Sequence, residues 1–433
     1  MKTSLIALLL AFAGTAQAGG TPDGLALDAD IARIEPQVIA WRHDIHQHPE
    51  LGNREFRTAA LVADALKKLG YTVQTGVAGT GVVAVLRGDR PGPTVALRAE
   101  LDALPVTEPA GLPFASAVRR QWNGRDVGVM HACGHDAHVA MALGVATLLA
   151  QRRAQLHGTV KLVFQPAEEG PPDGEEGGAA LMIKQGVLTD PKPDVFFGLH
   201  VGPGPSGSVS LSRERVTAGS DTFVTRIVGR QTHAAFPWAG IDPVVLAAQV
   251  TLAWQTIPSR QSDLQAQGAP VISIGRINGG VRQNIIPEDV TLEGTVRTVT
   301  PAQRDAVLAR LQQAASSIAA SAGGRAETRI TEGYPSGRND AALVDRYLPL
   351  LQALAPSGQV ALTGGSYAAD DFAYFSRAVP ALFVGLGVTP PSIAPEAAAP
   401  NHSPGFLVDD AALRVGVRVQ AGLMLAALGA TGS

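Results

Sequence analysis

Ala137-His138-Val139-Ala140-Met141-Ala142-Leu143-Gly144-Val145-Ala146-Thr147-Leu148-Leu149-Ala150-Gln151 is rich in Ala and Leu and reads as an apolar helix. Val160-Lys161-Leu162-Val163-Phe164 follows it and reads as a buried strand. Working outward, Val82 to Leu86, Thr94 to Leu97 and Val195 to Leu199 are similar short apolar runs bounded by Gly and Pro. Upstream, Asp30 to Leu69 reads as mostly helical, broken near His48-Pro49. Helices alternating with apolar strands predict an α/β layer around a largely buried sheet.

After about Arg215 the order changes. Strands are expected at Phe223 to Val228, Val271 to Ile277, Val290 to Arg297 and Ala326 to Ile330. Helices are expected at Pro243 to Thr256 and Pro301 to Ser321. The order is β-α-β-β-α-β, that of a ferredoxin-like unit. The α/β pattern then resumes with a helix over Ala341 to Leu354, a strand over Ala381 to Val384 and a helix over Asp410 to Leu428. The expected organisation is therefore a catalytic domain in two segments, 19–215 and 333–433, with a small domain inserted at 216–332. A chain of 433 residues is too long for one ordinary core, which suits this division. Val388 to Pro400, rich in Ala and Pro, reads as a loop.

Hydrophobic residues make up 45% and charged residues 17%, the balance of a globular chain. The formal net charge of −3 and the lack of a long basic run argue against a nucleic-acid partner. At the start, Lys2, the apolar stretch Leu5 to Phe12 and Ala16-Gln17-Ala18 have the layout of a signal peptide, expected over 1–18. That stretch is too short to span a bilayer, and no later window is apolar enough. The expectation is a secreted protein, periplasmic in a Gram-negative cell, with no membrane attachment after cleavage. The single cysteine, Cys133, has no partner for an internal disulfide.

Cys133 stands in Met130-His131-Ala132-Cys133-Gly134-His135-Asp136-Ala137-His138. A thiolate two residues before an imidazole can reach one cation from a turn that opens a helix, and both groups suit zinc-like ions. Phe164-Gln165-Pro166-Ala167-Glu168-Glu169-Gly170 places paired carboxylates at a strand end, where one can bind metal and the other can move a proton. Gly198-Leu199-His200 ends another strand, and Asn401-His402-Ser403-Pro404 precedes the last helix. One Cys, one Glu and three His make a ligand set for two ions, and a bound cation acidifies water to a pKa of about 7.

In order along the chain, these motifs resemble the amidohydrolase branch of the dinuclear metallopeptidase family that includes aminoacylases, hippurate hydrolases and auxin-conjugate hydrolases. The resemblance adds Trp41-Arg42 with His46, Pro49-Glu50-Leu51, Leu97 to Pro105, His233-Ala234-Ala235, Asn284 to Pro287, Gly294 to Arg297 and Asp371-Phe372. It implies that Cys133, His135, Glu169, His200 and His402 hold two divalent cations, Zn2+ or Mn2+, with Cys133 between them. Glu168 would be the general base, and Asp102 would orient the ligands. His233 would stabilise the charge developing on the scissile carbonyl, often from the partner subunit of a dimer. Asn284 and Arg297 would bind the substrate carboxylate, and the inserted domain would serve as lid and dimerisation unit. The implied activity is hydrolysis of N-acyl amino acids.

Other histidines carry no metal role in this reading. His43, His46 and His48 lie in a helical stretch, and His46 is expected to line the pocket or to be structural. His131 and His138 flank the ligands as supporting or packing residues, and His157 is solvated. Two departures from the family pattern stand out. Pro237-Trp238 replaces Pro-His in the lid, which bears on the acyl pocket, and Asp370-Asp371-Phe372 replaces Glu-Asp-Phe. Three other functions compete: a cysteine amidase using Cys133 and His135, a metallo-dipeptidase or carboxypeptidase, and a non-catalytic periplasmic binding protein.

Overall fold

The computed structural model describes residues 24–265 and 268–429; the leader expected over 1–18 lies outside them. Eight strands form the main sheet. From edge to edge they are Thr72–Val77, Gly81–Arg87, His157–Gln165, Arg90–Glu100, Val195–Pro205, Ala381–Thr389, Val209–Ser212 and Val360–Thr363. The four strands from His157–Gln165 to Ala381–Thr389 run parallel, and antiparallel pairings flank them. The sheet is mixed and carries helices on both faces.

Alternation along the central strands assigns their two faces. Leu97, Leu162, Leu199, Val384 and Leu386 enter the main core with the helices Gly24–Gln47, His135–Gln151 and Asp410–Ala427. Each such fully buried side chain contributes roughly 1.5–3 kcal/mol. The opposite face is covered only in part. Phe196 and Phe383 meet Phe372 and Phe375, and this second cluster includes residues of the short helices Gly178–Lys184 and Phe372–Ala378.

The second sheet is antiparallel, in the order Val271–Gly279, Asp289–Thr298, Gly219–Val228, Arg325–Thr331. Helices Pro243–Arg260 and Pro301–Ser321 pack on it around Trp254, Phe223, Leu292 and Leu311. Each helix opens with Pro after a capping side chain. Asp242 accepts the N–H of Val244 at 2.9 Å, and Thr300 accepts that of Gln303 at 3.1 Å. This is the ferredoxin-like lid expected from the strand and helix order. Among the described residues no helix is long and apolar enough to cross a membrane.

Three strands of the main sheet are not expected from the sequence: Thr72–Val77, Val209–Ser212 and Val360–Thr363. Thr72–Val77 and Val360–Thr363 are mostly exposed edge strands, and Val209–Ser212 is only four residues long. Short or edge strands of this kind are held by neighbouring backbone rather than by a side-chain pattern of their own.

Candidate metal and amide-hydrolysis site

The parallel strands deliver their carboxyl ends to one region, where α/β sheets place their sites. Asp102 follows Arg90–Glu100, the Glu168-Glu169 pair follows His157–Gln165, and His200 lies on Val195–Pro205. Cys133 and His135 enter from the start of helix His135–Gln151. Gly134 turns the chain there at φ 92°, and a side chain on it would collide with Val201. Ala167 (φ 48°) and His402 (φ 68°) hold the left-handed conformation that non-glycine residues seldom adopt. Both stand at or beside the candidate ligands.

The donors fall into groups that share members. Cys133, His135 and His200 have donor atoms within 4.8 Å of one another, as do Cys133, Glu169 and His402, and so do His135, Glu168 and Glu169. Cys133 is common to the first two groups. Its Sγ lies 3.4 Å from Nε2 of His200.

The tautomers are set from behind. His135 donates Nδ1–H to the carbonyl oxygen of Asp102 (2.8 Å), and its buried Nε2 has no hydrogen-bond partner. His200 directs Nδ1 to the Val201 carbonyl (2.7 Å), which turns Nε2 inward. Asp102 also accepts the Glu169 N–H through Oδ2 (2.9 Å). His402 Nε2 is 3.0 Å from Glu169 Oε1, yet that oxygen makes no hydrogen bond. Histidine nitrogens oriented this way, beside an unpartnered carboxylate oxygen, are what a metal centre requires.

The local charge points the same way. Burial, then the charges of Glu169 and Glu168, push the Cys133 thiol well above its usual range, so its thiolate needs cations beside it. Burial, Asp370, Glu169 and Asp371 likewise raise Glu168 well above the ordinary carboxylate range. Burial would lower His135, but Asp102 and the surrounding carboxylates raise it to about 10. His200 falls to about 4 through burial and the neighbouring His138. The donor set fits divalent cations.

His138 looks equivalent to His135 in sequence but is fully engaged. Its Nδ1 meets Glu100 at 2.8 Å, and its Nε2 accepts the Val201 N–H at 2.9 Å. Glu100 is itself committed to Arg98, which also binds Asp370, Asp371 and Gln165. His131 is buried with both ring nitrogens unpartnered. His46 is structural: it sits between Asp136 (2.9 Å) and Glu108 (3.0 Å). His157 is half-buried, its Nε2 3.1 Å from Arg90, where a solvated ring was expected. Asp370 supports its loop by accepting Arg98 and the Phe372 N–H.

A cavity of about 910 Å3 opens beside the donors and is lined in part by Cys133, Glu168, Glu169, His200, His402 and Arg297. Nη1 of Arg297 is buried without a partner. His233 and Asn284 do not line this cavity. Both are exposed on the lid, where strand Thr232–His233 pairs with Ile285–Ile286.

Two supporting residues carry no signal in the sequence. Tyr334 donates its hydroxyl to the Glu168 carbonyl (2.6 Å), from a position where no motif marks it. Glu55, fully buried, accepts the Ala167 N–H (2.8 Å) and the Thr80 hydroxyl. An acid just before a helix reads as an ordinary helix-start residue, so Glu55 gave no signal.

Residues 96–426 match the model for peptidase family M20/M25/M40. The chain is 37% identical over 398 residues to a protein of Saccharolobus solfataricus named thermostable carboxypeptidase 1, covering 91% of this chain and 96% of that one. It is 36% identical over 390 residues to the N-acetyl-L-cysteine deacetylase of Bacillus subtilis, covering 89% and 86%. Among solved structures it resembles the YXEP protein of Bacillus subtilis, described as a dinuclear metal binding peptidase. The TM-score is 0.75 at 32% identity, covering 92% of this chain and 99% of that one. With the sheet, the lid and the converging donors already described, these likenesses make the chain a member of peptidase family M20/M25/M40 and a hydrolase of amide bonds.

Proposed function

We propose that this protein hydrolyses N-acyl amino acids at a centre of two divalent cations held by Cys133, His135, Glu169, His200 and His402. The observation that carries the reading is the sharing of Cys133 by two donor triads, backed by the unpartnered Nε2 of His135 and Oε1 of Glu169. Bound there, zinc or manganese would polarise the amide carbonyl and acidify water. The protein's own groups supply the rest. Glu168, whose Oε2 lies 3.8 Å from His135 Nε2, takes the proton from the attacking water and returns it to the leaving amine. Asp102 keeps His135 and Glu169 in place. Arg297 receives the substrate carboxylate through its unpartnered nitrogen. His233 and Asn284, exposed on the lid, serve the site of a second copy in a homodimer.

The same reading takes 216–332 as the inserted lid between the two catalytic segments, and 1–18 as a signal peptide directing export. A second reading, a carboxypeptidase acting on small peptides, is favoured by the name of the Saccharolobus solfataricus relative. The cysteine amidase finds less support, because Cys133 contacts His200 rather than His135 and burial opposes its thiolate.

The test is ninhydrin detection of amino acids released from N-acyl amino acids and dipeptides, with metal-loaded and chelated protein. Metal-dependent release from the acyl substrates is expected. Release from dipeptides alone would replace this reading with the peptidase, and activity that survives chelation would return Cys133 as the nucleophile.

A further inference from the structure

The partly covered face of the main sheet leads away from the candidate metal centre in an ordered row. Sheet register places His200 opposite Gly385, and Gly385 opposite Ser210 on the next strand. One residue pair along, Gly202 stands opposite Gly387, and Gly387 donates its N–H to the carbonyl of Ser208. The neighbours Val201, Val209, Leu211, Val384 and Leu386 all point into the main core on the other face. The His200, Gly385 and Ser210 row therefore faces the cavity, and Ser208, Ser210, Gly202, Gly385 and Gly387 all line it.

The serine hydroxyls lie over the neighbouring glycines, which leave them the room that a larger side chain would take. A methyl group at Gly385 would collide with Oγ of Ser210, and one at Gly387 with Oγ of Ser208. Neither serine hydroxyl has a hydrogen-bond partner among the described residues. Strand spacing of about 4.8 Å puts the Ser210 backbone roughly 10 Å from that of His200, and its hydroxyl leans back over Gly385 on the strand between them. The ionisable groups lining the cavity include Glu168, Glu169, Asp370, Arg297 and the candidate ligands His200 and His402, all outside this row except His200. No Lys or Arg stands in the row to hold an anionic tail.

We infer that this trough receives the acyl half of the substrate, and that Ser208 and Ser210 select an acyl chain ending in a neutral hydrogen-bonding group, such as a hydroxyl or carboxamide. The inference rests on the amide-hydrolase reading above and names its substrate class.

The test compares kcat/KM for N-acetyl, N-hexanoyl and N-(5-hydroxypentanoyl) derivatives of one amino acid, using metal-loaded full-length protein. The last two are nearly isosteric and differ in the terminal group. The hydroxyl-ended substrate is expected to exceed the hexanoyl one by about 3–10-fold for each hydrogen bond formed. In the Ser208→Ala/Ser210→Ala variant that ratio falls toward one, and Ser210→Thr, which keeps a hydroxyl, retains part of it. A wild-type preference for hexanoyl, or a ratio unchanged in the double variant, overturns the inference and leaves the amide-hydrolase reading standing. No release from any of the three, the acetyl substrate included, overturns both.

Discussion

Asp102 and His135 are locked together through the backbone: the carbonyl oxygen of Asp102 accepts Nδ1–H of His135 at 2.8 Å, while its carboxylate oxygen Oδ1 lies 3.3 Å from the same nitrogen. The other carboxylate oxygen holds the Glu169 N–H. One residue thereby orients two candidate ligands that are far apart in sequence.

Replacing Asp102 with Ala keeps the carbonyl contact but leaves the half-buried Glu169 N–H without its acceptor. Metal affinity should fall by roughly 10–100-fold, as for other residues that support ligands. Titration with zinc, followed by calorimetry or by bound-metal analysis, checks this. Unchanged affinity would confine Asp102 to a structural role.

Glu168 is buried, and its Oε1 faces the Asp371 N–H at 3.3 Å. Glu168→Gln preserves the shape and removes the base. Turnover should drop by about 10²–10⁴-fold with the metal content intact. A variant that binds metal normally and keeps most of its turnover would remove the assignment.

His46 links protonation to stability through Asp136, the residue next to His135. Burial alone would depress it, but the charge of Asp136 and hydrogen bonds to Asp136 and Glu108 raise it to about 9, against 6.5 for the free side chain. The folded state therefore binds this proton more tightly than the unfolded chain. The resulting stabilisation, up to about 3 kcal/mol, is fully present below about pH 6.5 and is lost as pH rises through 9. Denaturant melts of the wild type and His46→Gln across this range should show their stability difference shrinking with rising pH. A constant difference would mean that the imidazolium is not what stabilises the cluster.

The lid exposes Trp238 (78%), Leu252 (70%), Ile277 (60%) and Val281 (96%), an apolar character that solvent-facing lids seldom keep unless covered. Sedimentation should find a dimer, and Leu252→Arg with Ile277→Arg should shift it toward monomer. A wild-type monomer at micromolar concentration would end the dimer proposal.

Much of the fold could be read locally. The helices Pro301–Ser321 and Ala341–Leu354 begin where Pro301 and Asp340 put them, because capping and φ restriction act within a few residues. The β-α-β-β-α-β order of the lid was legible for the same reason. The contact between Arg98 and Asp370, more than 270 positions apart, has no local trace. The same holds for Tyr334 reaching the Glu168 carbonyl.

The sequence by itself determined the inventory of donors, their order, and their placement at strand ends and a helix start, because residue type and hydrophobic periodicity are local properties. Tertiary structure alone decided which of those donors is free to act. His135 and His138 lie one turn apart on one helix with the same chemistry. The Val201 N–H occupies Nε2 of His138, and nothing occupies Nε2 of His135. A ring nitrogen is available only if no neighbour brought in by the fold has claimed it, and that neighbour comes from a strand more than sixty residues away.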